Sequence, residues 1–140
     1  MHYLQREQLD AGEFCALILL ATAGMGVMAG SQELLTAFVG LEMSSIASYV
    51  LASYKRDEPR SNEAAMKYFL LGSFATAFFL YGIALTYGAT GTTHLDLMAS
   101  ASVQSGGTLL KIGLGLIFGI MRVINFALCW FRVLGVLFSL

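Results

Sequence analysis

Residues 34–54 read LLTAFVGLEMSSIASYVLASY, an apolar segment whose one charged side chain is Glu42. If this segment crosses a membrane as a helix, Glu42 lies roughly 12 Å into a hydrocarbon core about 30 Å thick. A carboxylate at that depth is costly unless it is protonated, paired or hydrated. We therefore interpret Glu42 as a functional ionisable group that faces other helices or a water path. A protonated, hydrogen-bonded structural glutamate is the alternative.

The rest of the chain has the same apolar character. Of its 140 residues, 57% are hydrophobic and 12% are charged, and the mean hydropathy is +0.72. Such a composition argues against a water-soluble core. The apolar stretches are long enough for transmembrane helices and cover about 14–30, 34–54, 64–87 and 108–138. The sequence thus predicts an all-α, polytopic membrane helix bundle of about four spans that forms one membrane domain.

Three connections separate these spans. Ser31-Gln32-Glu33 is so short that the first two helices are expected to form an antiparallel hairpin. The segment 55–61 is charged and holds the one proline, and Ser61 is predicted to cap the following helix. The segment 88–107 is rich in Gly, Ser and Thr, which is typical of a loop.

The cations outside the spans lie on one side of the predicted bundle. They are Arg6, Lys55, Arg56 and Arg60. By the positive-inside rule, the N-terminus and the 55–61 loop of this multi-pass chain are expected to be cytoplasmic. The net charge of −1 gives no indication of a nucleic-acid partner.

Small and aromatic residues are interpreted as packing and anchoring elements. The pairs Gly26/Gly30 and Gly115/Gly119 have the spacing that permits close helix approach. Tyrosines near the span ends are predicted to lie at the membrane interfaces, and they are Tyr49, Tyr54, Tyr68, Tyr81 and Tyr87. Cys15 and Cys129 have no metal-ligand spacing, so we interpret them as small buried side chains and expect no metal site.

Two further cations complete the candidate site. Lys67 lies about 9 Å past Ser61, where it is either a proton-transfer group or the ion-pair partner of Glu63. Direct contact between Lys67 and Glu42 is not expected, although water and the hydroxyls of nearby serines can link them. These serines are Ser44, Ser45 and Ser48. Arg122 lies roughly 21 Å along the last span and needs a counter-charge there, which makes it a possible charge partner.

Residues 14–119 resemble a known family. The words GLE, YVL, RSNEAAMKYFLLG and YGATG are together specific for the antiporter-like subunit N of proton-pumping NADH:quinone oxidoreductase, respiratory complex I. The resemblance implies that the four spans belong to the first of two inverted repeats. It also implies that Glu42 is the family's functional glutamate and Lys67 its lysine near the cytoplasmic end of the next helix.

By the same resemblance, the chain carries protons and binds no cofactor, while the whole complex uses NADH and quinone. The implied partners are other membrane-arm subunits of complex I, together with the lipid bilayer. The sequence departs from the family after GLGLIFG, where residues 120–140 read IMRVINFALCWFRVLGVLFSL. The family's mid-helix lysine is missing there, and Arg122 cannot replace a titrating group. We therefore expect a truncated copy.

Three functions are compatible with these residues and this resemblance. The first is proton translocation within NADH:quinone oxidoreductase, with no redox active site in this chain. The second is a subunit of a related multi-subunit cation/proton antiporter. The third is a truncated, non-conducting structural membrane remnant.

Overall fold

The computed structural model describes residues 11–105 and 107–121, and its regular structure there is α-helical. The helices are α1 (Ala11–Gly30), α2 (Leu34–Ala52), α3 (Pro59–Thr90), α4 (Leu95–Ser105) and α5 (Thr108–Met121). In this part of the chain, α1, α2 and α3 are long and apolar enough to cross a membrane, and α5 is a shorter apolar helix. The all-α membrane bundle predicted from the sequence is confirmed. The remainder of the fourth predicted span lies outside the described residues.

The chain divides into two compact units, residues 1–74 and 75–140, with the boundary inside α3. The organisation as one membrane domain therefore stays a prediction. In the first unit, α1 and α2 are joined by Ser31-Gln32-Glu33, the connection predicted for a helical hairpin. Close backbone packing holds this hairpin together, because a Cβ atom on Gly24 would lie 2.7 Å from the Ser44 nitrogen.

In the second unit, the C-terminal part of α3 packs against α5 through another pair of glycines. A Cβ atom on Gly113 would lie 2.7 Å from Thr86 Oγ1, and one on Gly82 would lie 3.0 Å from the Gly113 carbonyl oxygen. Thr86 is fully buried and donates its hydroxyl to the Gly82 carbonyl oxygen at 2.6 Å, so no polar group of its side chain is left unpaired. Neighbouring Ile83 and Ile117 are also buried.

The glycine pairs predicted from spacing make no close helix contact within the described residues. Within the described residues, no atom lies within 4 Å of a Cβ placed on Gly26, Gly30, Gly115 or Gly119. Their role in helix packing stays a prediction, because spacing alone does not fix which neighbour a helix face meets. The α1 face that meets α2 contains Gly24 instead.

The connection between α2 and α3 is held by side chains of the first turn of α3. Asn62 accepts a hydrogen bond from Ser53 Oγ at 2.7 Å and donates one from Nδ2 to the Arg56 carbonyl oxygen at 2.8 Å. Ser61 was wrongly predicted as the helix cap, because α3 begins at Pro59, a residue favoured in the first turn. The Ser61 hydroxyl donates to the Ala52 carbonyl oxygen at 2.7 Å.

The segment predicted as a loop between the third and fourth spans contains α4. Gly91 ends the preceding helix with a φ of 72°, and its N–H donates to the Tyr87 carbonyl oxygen at 2.7 Å. A new helix starts four residues later, with Asp96 in its first turn, where a negative charge is favourable. The loop prediction for 88–107 was therefore wrong over Leu95–Ser105.

Candidate functional site

Glu42 lies in the middle of α2 and presents a buried acceptor atom. Its Oε1 is shielded from solvent and has no hydrogen-bond partner among the residues that the structure describes. The large majority of buried side-chain polar atoms in proteins have a hydrogen-bond partner. A lone buried carboxylate oxygen in an apolar helix is therefore a site that needs a proton, a counter-charge or water.

Glu42 lies on the side of α2 that faces away from α1. The α1 contact uses Gly40 and Ser44, and Ala47 on the same face is fully buried. At about 100° per residue, Glu42 is rotated by about 160° from Gly40. Two other polar residues, Ser45 and Tyr49, share its face. The carboxyl group therefore does not belong to the packed surface of the α1–α2 hairpin.

Tyr49 identifies the helix on that side as the first part of α3. Its ring makes edge-on contacts with Tyr68 at 4.9 Å and Phe69 at 5.6 Å between ring centroids. Its hydroxyl lies against Gly72, where any larger side chain would collide with the ring. Both rings therefore pack between α2 and α3, and the assignment of Tyr49 and Tyr68 as interfacial anchors stays a prediction. Tyr54 also has a ring partner, Phe14, at 5.3 Å.

The polar residues on this face of α2 extend from Glu42 through Ser45 to Tyr49. Ser45 precedes Tyr49 by about one helical turn on this face, and both Ser45 and Glu42 lie close enough to Tyr49 to interact with it electrostatically. Ser48 is not part of this line, since its hydroxyl donates to the Ser44 carbonyl oxygen at 2.8 Å. The polar groups above Glu42 are thus Ser45 and then Tyr49, one helical turn further on.

Lys67 is not brought to Glu42. Its side chain is 73% exposed, and its Nζ lies 2.5 Å from Glu63 Oε1. This is the ion pair predicted from the four-residue spacing of Glu63 and Lys67. A role for Lys67 in proton transfer stays a prediction. Arg122, the predicted charge partner, lies outside the described residues.

A cleft of about 480 Å³ opens beside Tyr49 in the first unit. Its polar lining includes Glu13, Arg56 and Asn62, and its apolar lining includes Leu17 and Met66. Arg56 Nη2 lies 3.7 Å from Glu13 Oε2, and both side chains are largely exposed. No sequence pattern indicated this cleft, because its walls come from three helices.

Metal-ligating groups do not cluster in the described ranges. No set of three His, Cys, Asp or Glu side chains is placed to hold a metal ion within residues 11–105 and 107–121. Cys15 is exposed, which corrects its interpretation as a buried side chain, and Cys129 lies outside those ranges.

Comparisons with known sequences identify relatives over most of the chain. It is 52% identical over 115 residues to NADH-quinone oxidoreductase subunit N of Trichlorobacter lovleyi. It is 55% identical over 96 residues to subunit N 1 of Solibacter usitatus. The alignments cover 80% and 69% of this chain but 24% and 20% of those relatives. The chain thus spans about a quarter of the length of the curated relatives it matches.

Solved structures show the same helical arrangement. The chain matches part of respiratory complex I from Thermus thermophilus with bound aureothin, with a TM-score of 0.65 and 44% identity over 75% of this chain and 23% of that one. It also matches the membrane-bound sulfane sulfur reductase, an archaeal respiratory membrane complex, with a TM-score of 0.68 and 37% identity. That match covers 72% of this chain and 20% of the other.

A family match covers most of the sequence. Residues 31–131 match the family described as "NADH:quinone oxidoreductase/Mrp antiporter, TM". This range continues past Gly119, where the resemblance noted from the sequence words ended. The multi-pass helical architecture agrees with this membrane family. The chain therefore belongs to the NADH:quinone oxidoreductase/Mrp antiporter family of membrane proteins.

Proposed function

We propose that this chain is a membrane-arm segment of a bacterial NADH:quinone oxidoreductase and takes part in proton translocation coupled to electron transfer from NADH to quinone. The observation that carries the proposal is the buried Oε1 of Glu42, which has no hydrogen-bond partner within residues 11–105 and 107–121. The names of the relatives support the choice of complex, because they are subunits N of NADH-quinone oxidoreductases.

Glu42 suits proton transfer because the relative stability of its neutral and charged forms depends strongly on the surrounding charge and hydration. The neutral acid is tolerated in an apolar surrounding, whereas the carboxylate needs a counter-charge or water. A change in nearby charge or hydration during turnover therefore moves a proton onto or off the carboxyl group. Arg122 is the proposed source of fixed positive charge, and Lys67 is proposed as a second titratable group towards the water phase.

The proposed topology places the N-terminus and the 55–61 loop on the cytoplasmic side of the inner membrane. The cations of this region support that orientation. We further propose that the redox cofactors belong to other subunits of the complex, so that NADH and quinone react elsewhere. Other membrane-arm subunits and lipid then cover the exposed apolar side chains of α1 and α3, such as Leu19 and Phe74.

A cation/proton antiporter subunit is the second candidate. It is favoured by the family description, which names the Mrp antiporter beside NADH:quinone oxidoreductase. Both candidates need the same buried carboxyl group. They differ in the partners with which the chain assembles.

The test uses the membrane complex that contains this chain, reconstituted into sealed vesicles. We expect Glu42→Gln to keep the shape of the side chain but to lower the number of protons moved per NADH oxidised. Glu33→Gln is the matched control, because Glu33 precedes α2 and its carboxylate accepts a hydrogen bond from Thr36 at 3.3 Å. Unchanged pumping by the Glu42 variant would overturn the proposal. Co-purification with antiporter subunits instead would favour the second candidate.

A further inference from the structure

The cleft in the first unit and the polar face of α2 meet at Tyr49. The cleft lies at the end of the helices where α2 passes into the charged connection, since Arg56 and Asn62 line it. Tyr49 lines the same cleft, and Ser45 precedes it by about one turn on the same face of α2. One turn below Ser45 on the same face lies Glu42, whose Oε1 has no partner in the described part of the chain.

We propose that Tyr49 and Ser45 relay protons between the cleft and Glu42. This inference rests on the proposed function, because it names the path by which water protons reach the carboxyl group. Each hydroxyl accepts one proton on its oxygen and passes its own proton to the next acceptor, so neither side chain changes its net charge. Water carries the steps that the side chains do not span.

The packing of Tyr49 fits a fixed relay group better than a flexible surface residue. Tyr68 and Phe69 hold its ring edge-on, and the absence of a side chain at Gly72 makes room for its hydroxyl. These contacts restrict the rotation of the ring and keep the oxygen within reach of Ser45.

The ion pair between Glu13 and Arg56 marks the water end of the path. Both side chains are largely exposed, at 62% and 81%, and their charges lie 3.7 Å apart. Side chains this exposed are in contact with bulk water at this end of the cleft. Protons therefore arrive at Tyr49 from bulk water, and only the short segment from Tyr49 to Glu42 passes through the apolar interior.

The decisive experiment compares hydroxyl deletions on α2 in the assembled complex in sealed vesicles. Tyr49→Phe removes the relay oxygen and keeps the ring against Tyr68 and Phe69. Ser45→Ala removes the next hydroxyl with little loss of volume. For each variant we expect proton pumping to fall by about tenfold, the effect of losing roughly one hydrogen bond in the rate-limiting transfer. The solvent deuterium isotope effect on pumping is also expected to rise, which a purely structural defect would not cause.

Ser48→Ala is the matched control, because the Ser48 hydroxyl is bonded to the backbone of its own helix. It should pump like the unaltered complex. Normal pumping by both Tyr49→Phe and Ser45→Ala, while Glu42→Gln stops pumping, would overturn the relay and leave the proposed function standing. Normal pumping by the Glu42→Gln complex would overturn both the relay and the proposed function.

Discussion

Gly24 and Gly40 lie so close together that a Cβ atom added to Gly24 would come within 2.7 Å of the Gly40 carbonyl oxygen. The relation is reciprocal, since a Cβ on Gly40 would lie 2.8 Å from the Gly24 carbonyl oxygen. Both contacts are with backbone atoms, which cannot rotate away as a side chain does. The α1–α2 hairpin is therefore specified at this crossing by the absence of side chains.

Replacing Gly24 by Ala is expected to destabilise the protein by about 1–3 kcal/mol, because the helices must move apart to admit the methyl group. This outcome has the opposite sign to helix propensity, which favours Ala over Gly by about 1 kcal/mol. The measurement is the free energy of unfolding in detergent micelles. Gly26→Ala, two residues away on the same helix and in open space, should be neutral or stabilising. Equal effects of the two substitutions would contradict the close packing of α1 against α2 at Gly24.

Asn62 is expected to order the connection between α2 and α3. Asn62→Ala removes the acceptor for Ser53 and the donor to Arg56, at a cost of about 1–2 kcal/mol. Faster amide hydrogen exchange over residues 53–58 would report the loss. Asn62→Asp, which retains the acceptor and loses the donor, should give an intermediate rate. An unchanged rate in both variants would show that the two hydrogen bonds do not order this segment.

Lys67 offers a way to separate an ion pair from a proton-transfer role. Because the pair with Glu63 is exposed, Lys67→Met and Glu63→Gln should each change the melting temperature very little. If Lys67 serves only that pair, the two variants will also pump protons equally well. The proton-transfer prediction instead requires lower pumping in Lys67→Met with normal pumping in Glu63→Gln. The ratio of protons moved to NADH oxidised distinguishes the two cases.

Much of the helical layout could be predicted from the sequence, because span length and apolar composition reflect the thickness of a bilayer. The short connection Ser31-Gln32-Glu33 also marks the first hairpin directly. Helix α4 could not be recognised in this way. Its glycine neighbours suggested a loop, although in the structure Gly91 ends the preceding helix.

Glu42 could be found from the sequence because a charge in an apolar run stands out without any knowledge of packing. The packing contacts of Tyr49 could not be predicted, since its position near a helix end indicated only an interfacial anchor. Its partners Tyr68 and Gly72 lie far away in the sequence, and only the rotation of α2 against α3 brings them together. The cleft beside Tyr49 could not be predicted for the same reason, because three helices that are separate in the sequence form its walls.

The central claim, that Glu42 itself takes up and releases protons, can be tested most directly by infrared difference spectroscopy of the complex during turnover. A protonated carboxyl group absorbs separately from a carboxylate. We predict that a carboxyl signal which appears and disappears with NADH oxidation in the unaltered complex is missing in Glu42→Gln and retained in Glu33→Gln. An identical turnover-dependent carboxyl signal in the Glu42→Gln complex would contradict the account.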